Sequence, residues 1–114
     1  MKSKKFAPLP ETLTSPIHPL EIQQVQTLLA NLLPNGKAKC RGTECVFTID
    51  KVKKEFTVEN LPAQPTTVGQ MWAFRVFMCL GRLGYQASSV VIGVGPVPPA
   101  IRKLIEALKN FGNN

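Results

Sequence analysis

The stretch TTVGQMWAFRVFMCLGRLGYQASSVVIGVG, residues 66–95, decides how the rest of the chain is read. Thr67 followed three residues later by Gln70 is a capping-box signal, and Gly84 is a C-terminal stop, so a helix is predicted from Thr67 to about Leu83. Its body is apolar nearly all round, which assigns it a central, buried place. At 100° per residue Met71, Arg75, Met78 and Arg82 fall on one stripe, and the two arginines are expected to mark its least buried side. Trp72, on the apolar remainder, is expected in the core. The run VVIGVG that follows is apolar on both faces and reads as a strand; a strand joined through a helix to an earlier strand of the same sheet runs parallel to it.

The earlier strands lie in GKAKCRGTECVFTIDKVKKEFTVEN, residues 36–60, a three-stranded meander. Gly42-Thr43 suits a two-residue type II′ turn, which sets Arg41 opposite Glu44 and Cys40 opposite Cys45. A second turn at Lys51 to Lys54 sets Ile49 against Phe56 and Phe47 against Val58. Ala38, Cys40, Cys45, Phe47, Ile49, Phe56 and Val58 then share the core face. Lys37, Lys39 and Arg41 alternate onto the other face, but so do Glu44, Asp50, Glu55 and Glu59, and such a charge-balanced face attracts little phosphate.

Two amphipathic helices flank this frame. PLEIQQVQTLLANLL, from Pro19 to Leu33, spaces Ile22, Val25, Leu29 and Leu32 helically, with Leu28 and Leu33 widening the apolar face and His18 flanking or capping its start. The last helix runs from about Pro99 to Asn110 and buries Ile101, Leu104, Ile105 and Leu108. The order α-β-β-β-α-β-α specifies a single α+β domain, residues 16–112: an antiparallel three-stranded meander plus a fourth strand reached by helical crossover. Residues 1–15, with Pro8 and Pro10 and the lysines Lys4 and Lys5, read as a flexible basic, proline-rich arm. That arm lacks the apolar core and cleavage site of a secretory signal, which points to the cytoplasm. No run approaches the length of a membrane span.

Candidate chemistry is sparse. The turn GVGPVPP, Gly93 to Pro99, joins a strand to a helix, where backbone N–H groups and the helix dipole can cradle phosphate. Pro96, Pro98 and Pro99 remove three of those donors, and the Walker and Gly-x-Gly-x-x-Gly spacings are missing. The run from Val91 to Leu104 resembles the signature region of the KH family of single-stranded nucleic-acid binders, although Gly93-Val94-Gly95 is one residue tighter than a Gly-x-x-Gly loop. The first five elements also echo the α-β-β-β-α order of double-stranded RNA-binding domains, with TTVGQMW where a lysine cluster would open the second helix. Cys40, Cys45, Cys79 and the lone His18 do not make a metal set, and no group is set up as an activated nucleophile or base, so neither metal, cofactor nor catalysis is expected.

Charge is the remaining signal. The 114-residue chain carries 14 basic and 7 acidic residues, formal charge +7. Between Glu59 and Glu106 it has no acidic residue, while Arg75, Arg82, Arg102 and Lys103 fall in that interval. The function expected from sequence is therefore a small basic binding module touching a nucleic-acid phosphate backbone through Arg75, Arg82, Arg102, Lys103, Lys4 and Lys5. The alternative is a protein–protein interaction or regulatory adaptor module.

Overall fold

The computed structural model describes residue 13 and residues 15–110; Lys4, Lys5 and most of the expected arm lie outside the described residues. Leu13 is buried in the core, so the packed unit begins ahead of residue 16. The first helix, α1 (Pro19–Ala30), starts at His18. The His18 Nδ1 accepts from the Leu20 N–H at 3.0 Å, and the Glu21 carboxylate accepts from the His18 N–H at 2.9 Å. Those bonds satisfy donors that a helix start leaves without partners. The helix ends earlier than the apolar spacing predicts. Lys51 Nζ reaches back from a distant turn and donates to the Leu29 and Leu32 carbonyls, each at 2.7 Å, closing the last turn. Leu33, beyond that closure, is exposed.

Four strands follow: β1 (Asn35–Lys39), β2 (Val46–Asp50), β3 (Glu55–Leu61) and, after helix α2 (Val68–Arg82), β4 (Gln86–Ile92); α3 (Pro99–Lys109) closes the chain. The sheet order is β1-β2-β3-β4. The first three strands are antiparallel, and β4 joins β3 in parallel through the α2 crossover. This is the α+β order read from the sequence, and Ala38–Phe47, Phe47–Val58 and Ile49–Phe56 pair in the expected register. β4 begins at Gln86, four residues ahead of the apolar run that announced it.

The first hairpin differs from the expected two-residue turn. Cys40 and Cys45 do face each other, with the Cys40 N–H donating to the Cys45 carbonyl at 2.9 Å, but Arg41 to Glu44 form a four-residue loop rather than strand partners. Thr43 closes it: its N–H and hydroxyl both donate to the Cys40 carbonyl, and the hydroxyl oxygen accepts from the Cys45 N–H. Gly42 takes the third turn position at φ +77°, where glycine carries no Cβ penalty. The loop then settles on α2: a Cβ on Gly69 would lie 2.6 Å from the Arg41 carbonyl oxygen, so that helix residue must be glycine for this approach.

The core forms where the inner sheet face meets α2. Phe47, Ile49, Phe56 and Val58 from the sheet pack with Phe74, Phe77 and Leu80 from the helix. The Phe56 and Phe77 rings meet edge to face, centroids 5.3 Å apart. Trp72 is only half-buried, on the margin of this cluster. Among the described residues no helix is long and apolar enough to cross a membrane.

This division of the helix gives a direct expectation. Phe77, 1% exposed, supports the ring pair, so Phe77→Ala should lower the unfolding free energy by about 3–5 kcal/mol. Trp72→Ala should cost less, because part of its ring is already in water. Urea denaturation of both variants checks the order; an equal or greater loss at Trp72 would contradict it.

Candidate nucleic-acid interface

Arg75 departs most from the sequence reading. The stripe expected to be least buried on α2 is covered by α1, and Arg75 is 3% exposed. Its Nε and Nη2 donate to the two Glu21 carboxylate oxygens at 2.9 and 2.6 Å. Nη1 donates to the Ser15 carbonyl at 2.8 Å and Nη2 to the Pro16 carbonyl at 3.1 Å. The planar fork of guanidinium matches a carboxylate in this two-bond geometry. Arg75 is thereby removed from any phosphate-binding surface. The cause is tertiary: Glu21 lies 54 residues away in the chain.

The pair also shifts its members' titration. The Arg75 hydrogen bonds hold the Glu21 carboxyl below its usual 4.5 against the opposing effect of burial, and Glu21 in turn raises Arg75. Burial pushes the nearby Cys79 thiol up to about 11 and raises Tyr85. The Cys45 thiol is raised by its bond with Cys40 and by burial, so neither Cys45 nor Cys79 is a ready thiolate nucleophile.

The remaining expected residues do not form one patch. Arg82 is exposed at the last turn of α2, near the start of β4. Arg102 and Lys103 are exposed on the first turns of α3, which leaves the turn after β4. Since α2 runs back from the end of β3 to the start of β4, Arg82 and the Arg102–Lys103 pair sit toward opposite ends of the helical layer. The length of α2 alone, about 22 Å, sets the scale of that separation.

Each end has a cleft. Near Arg82, Lys51, Lys54, Leu83 and Tyr85 line a cleft of about 310 Å³. Its cations are already engaged: Lys51 holds the α1 carbonyls, and the Lys54 ammonium sits 5.5 Å from the Tyr85 ring centroid. At the end nearer Arg102, a cleft of about 360 Å³ opens among the β1–β2 loop, the end of β3, the first turn of α2 and the turn after β4. Glu44, Asn60, Gln64 and Gln70 supply its polar groups. Sequence reading singled out Gln70 only as a helix cap and did not single out Asn60 or Gln64. The one available signal was their dispersal in loops and caps, which carries no spacing pattern. Arg41, placed by sequence on the balanced sheet face, is instead exposed on the loop that borders this cleft.

Among the described residues no group of three or more His, Cys, Asp or Glu side chains is arranged to hold a metal ion. Searches against protein families, characterised proteins and solved structures find no match, so the site must be read from its own chemistry.

The Arg75–Glu21 assignment predicts a structural variant. Arg75→Gln leaves the largely buried Glu21 carboxylate with a weaker partner and should cost about 2–4 kcal/mol of stability. Glu21 has a lower pKa folded than unfolded, so its contribution is complete above the ordinary carboxylate range and is lost as pH falls through the folded value. Urea midpoints compared at about pH 6 and about pH 3 should therefore fall further for the native protein than for Glu21→Gln. Equal pH dependence would exclude the pair as a stabilising contact.

Proposed function

We propose that the protein is a non-catalytic module that contacts a nucleic-acid phosphate backbone through Arg102, Lys103 and Arg41, with Arg82 as a separate outlying contact. The observation that carries this reading is the pairing of charges. Two ion pairs form among the described residues, Arg75–Glu21 and the exposed Lys39–Glu44 at 3.8 Å. Arg41, Arg82, Arg102 and Lys103 take part in neither, and all four are exposed. Cations held on helices and a braced loop and bonded to no carboxylate, although Glu106 lies one turn beyond Arg102 and Lys103 and Glu44 shares the loop of Arg41, favour release of phosphate counterions on binding.

A second reading rests on β4. Its outer edge has no strand partner among the described residues, its seven residues carry no charge, and its Val91 and the following Val94 are exposed. An uncharged edge can accept a strand from a protein partner. Salt separates the two: phosphate binding weakens steeply with ionic strength, and edge pairing does not.

Binding to a labelled single strand, measured across a salt series, should give a negative log–log slope. The double change Arg102→Gln with Lys103→Gln should reduce that slope by about 1.4, two single-strand phosphate contacts, while leaving the urea midpoint unchanged. Arg75→Gln should do the reverse, lowering stability but not the slope of the folded protein. Affinity that ignores salt, or a slope unchanged by the double substitution, would transfer the assignment to the β4 edge.

A further inference from the structure

The cleft bordered by the Arg41 loop, at the end of the helical layer nearer Arg102, has a chemistry that differs from the cations around it. We infer that it receives one unstacked base of a single-stranded nucleic acid, an inference that rests on the phosphate-binding reading above and adds the group that enters the cleft.

Four chain segments converge there, and their hydrogen-bond capacity is uneven. Gln70 Oε1 is saturated, accepting from the Thr66 N–H and hydroxyl and from the Thr67 N–H, which leaves its NH2 as the group still able to act. Gln64 donates once, to the Pro96 carbonyl at 3.2 Å, and keeps an acceptor and a second donor hydrogen. Asn60 has both ends of its carboxamide unengaged. Glu44 adds a mostly exposed carboxylate, paired only loosely with Lys39. The lining thus offers donors and acceptors side by side and no cation.

That complement selects its ligand class. A phosphate or carboxylate needs donors alone and would meet the Glu44 charge. A nucleobase edge presents donors and acceptors together, which carboxamides read in pairs, while an exocyclic amine suits a carboxylate acceptor. The faces of a base are apolar, and Pro62, Ala63 and Val94 supply apolar surface in the same cleft. A volume of about 360 Å³ is many times the roughly 30 Å³ share of one water, enough for a base with its ribose outside. The backbone of one wall is tied to the sheet. Asn60 holds a left-handed φ of 58°, which asparagine tolerates, and the Gly93 N–H donates to the Leu61 carbonyl at 2.8 Å just behind it. Phosphates flanking the inserted base would then run from the Arg41 loop, which lines the cleft through Thr43 and Glu44, toward the start of α3 with Arg102 and Lys103.

The test compares two strands of about 12 nucleotides, a length within the span of small single-strand binders. One is a mixed-sequence strand; the other has the same phosphates but a tetrahydrofuran abasic unit at every position. The intact strand should bind the native protein about ten-fold more tightly, with the same salt slope for both. Asn60→Gly removes the carboxamide yet retains the left-handed backbone, and it should close most of that gap, as should Gln64→Ala. Equal affinity of the native protein for the two strands would overturn the base site while leaving phosphate binding in place, and this comparison needs no variant to fold. A gap that survives both substitutions would also overturn it, because the bases would then be read elsewhere. Failure of both strands to bind would remove the phosphate-binding reading and the base site together.

Discussion

The two-bond contact between Arg75 and Glu21 fixes how the helices share the sheet. It joins the middle of α2 to the first turn of α1, and the same guanidinium gathers the chain at Ser15 and Pro16. Glu21 is simultaneously the residue that accepts from the His18 N–H at the start of α1. One carboxylate therefore sets where α1 begins and against which side of α2 it lies. An ionic group placed this deep is tolerated because each charged atom has a partner; a single missing partner would leave an uncompensated charge in a low-dielectric setting.

With α1 held in this way, α2 can be apolar on most of its circumference. The sheet takes the Phe74 and Phe77 side, α1 covers the Arg75 side, and α3 covers a further side with Ile101, Ile105 and Leu108. Lys51 secures α1 at its other end by holding two terminal carbonyls from the β2–β3 turn. Both ends of α1 are thus tied to distant parts of the chain through charge-assisted hydrogen bonds. The cleft opens at the far side of α2, where that helix begins and where the close approach at Gly69 brings the β1–β2 loop onto it.

On the proposed reading, the cleft and the cations around it divide recognition between two kinds of interaction. Exposed cations act at a distance and without sequence preference, whereas neutral amides act only at hydrogen-bond range and on particular edges. A small module with few ion pairs and a polar cleft that holds no cation has the means for both. The three prolines of the turn after β4 weaken it as a backbone cradle for phosphate, but they stiffen the wall that Gly93 and Val94 contribute to the cleft.

Periodicity, turn and capping signals and the crossover rule together determined the element order, the meander register and the parallel placement of β4. Alternation in VFTID and EFTVEN assigns Phe47, Ile49, Phe56 and Val58 to one face, and a crossover helix leaves β4 little choice of direction. Local capping was equally legible at Thr67, Gln70 and His18, since those bonds span three residues or fewer. The fate of each charge was decided only by tertiary structure. Arg75 and Arg82 look alike on a helical wheel, seven residues apart on one stripe, yet one is buried against Glu21 and the other is exposed. The difference comes from where α1 packs, a contact across 54 residues that no local pattern encodes. Thr43, together with Gly42 at its positive φ, closes a four-residue loop and so puts Arg41 on the loop that borders the cleft. The carboxamides of Asn60, Gln64 and Gln70 became neighbours through the same long-range packing, because a cleft built from four separated segments leaves no periodic trace in any one of them.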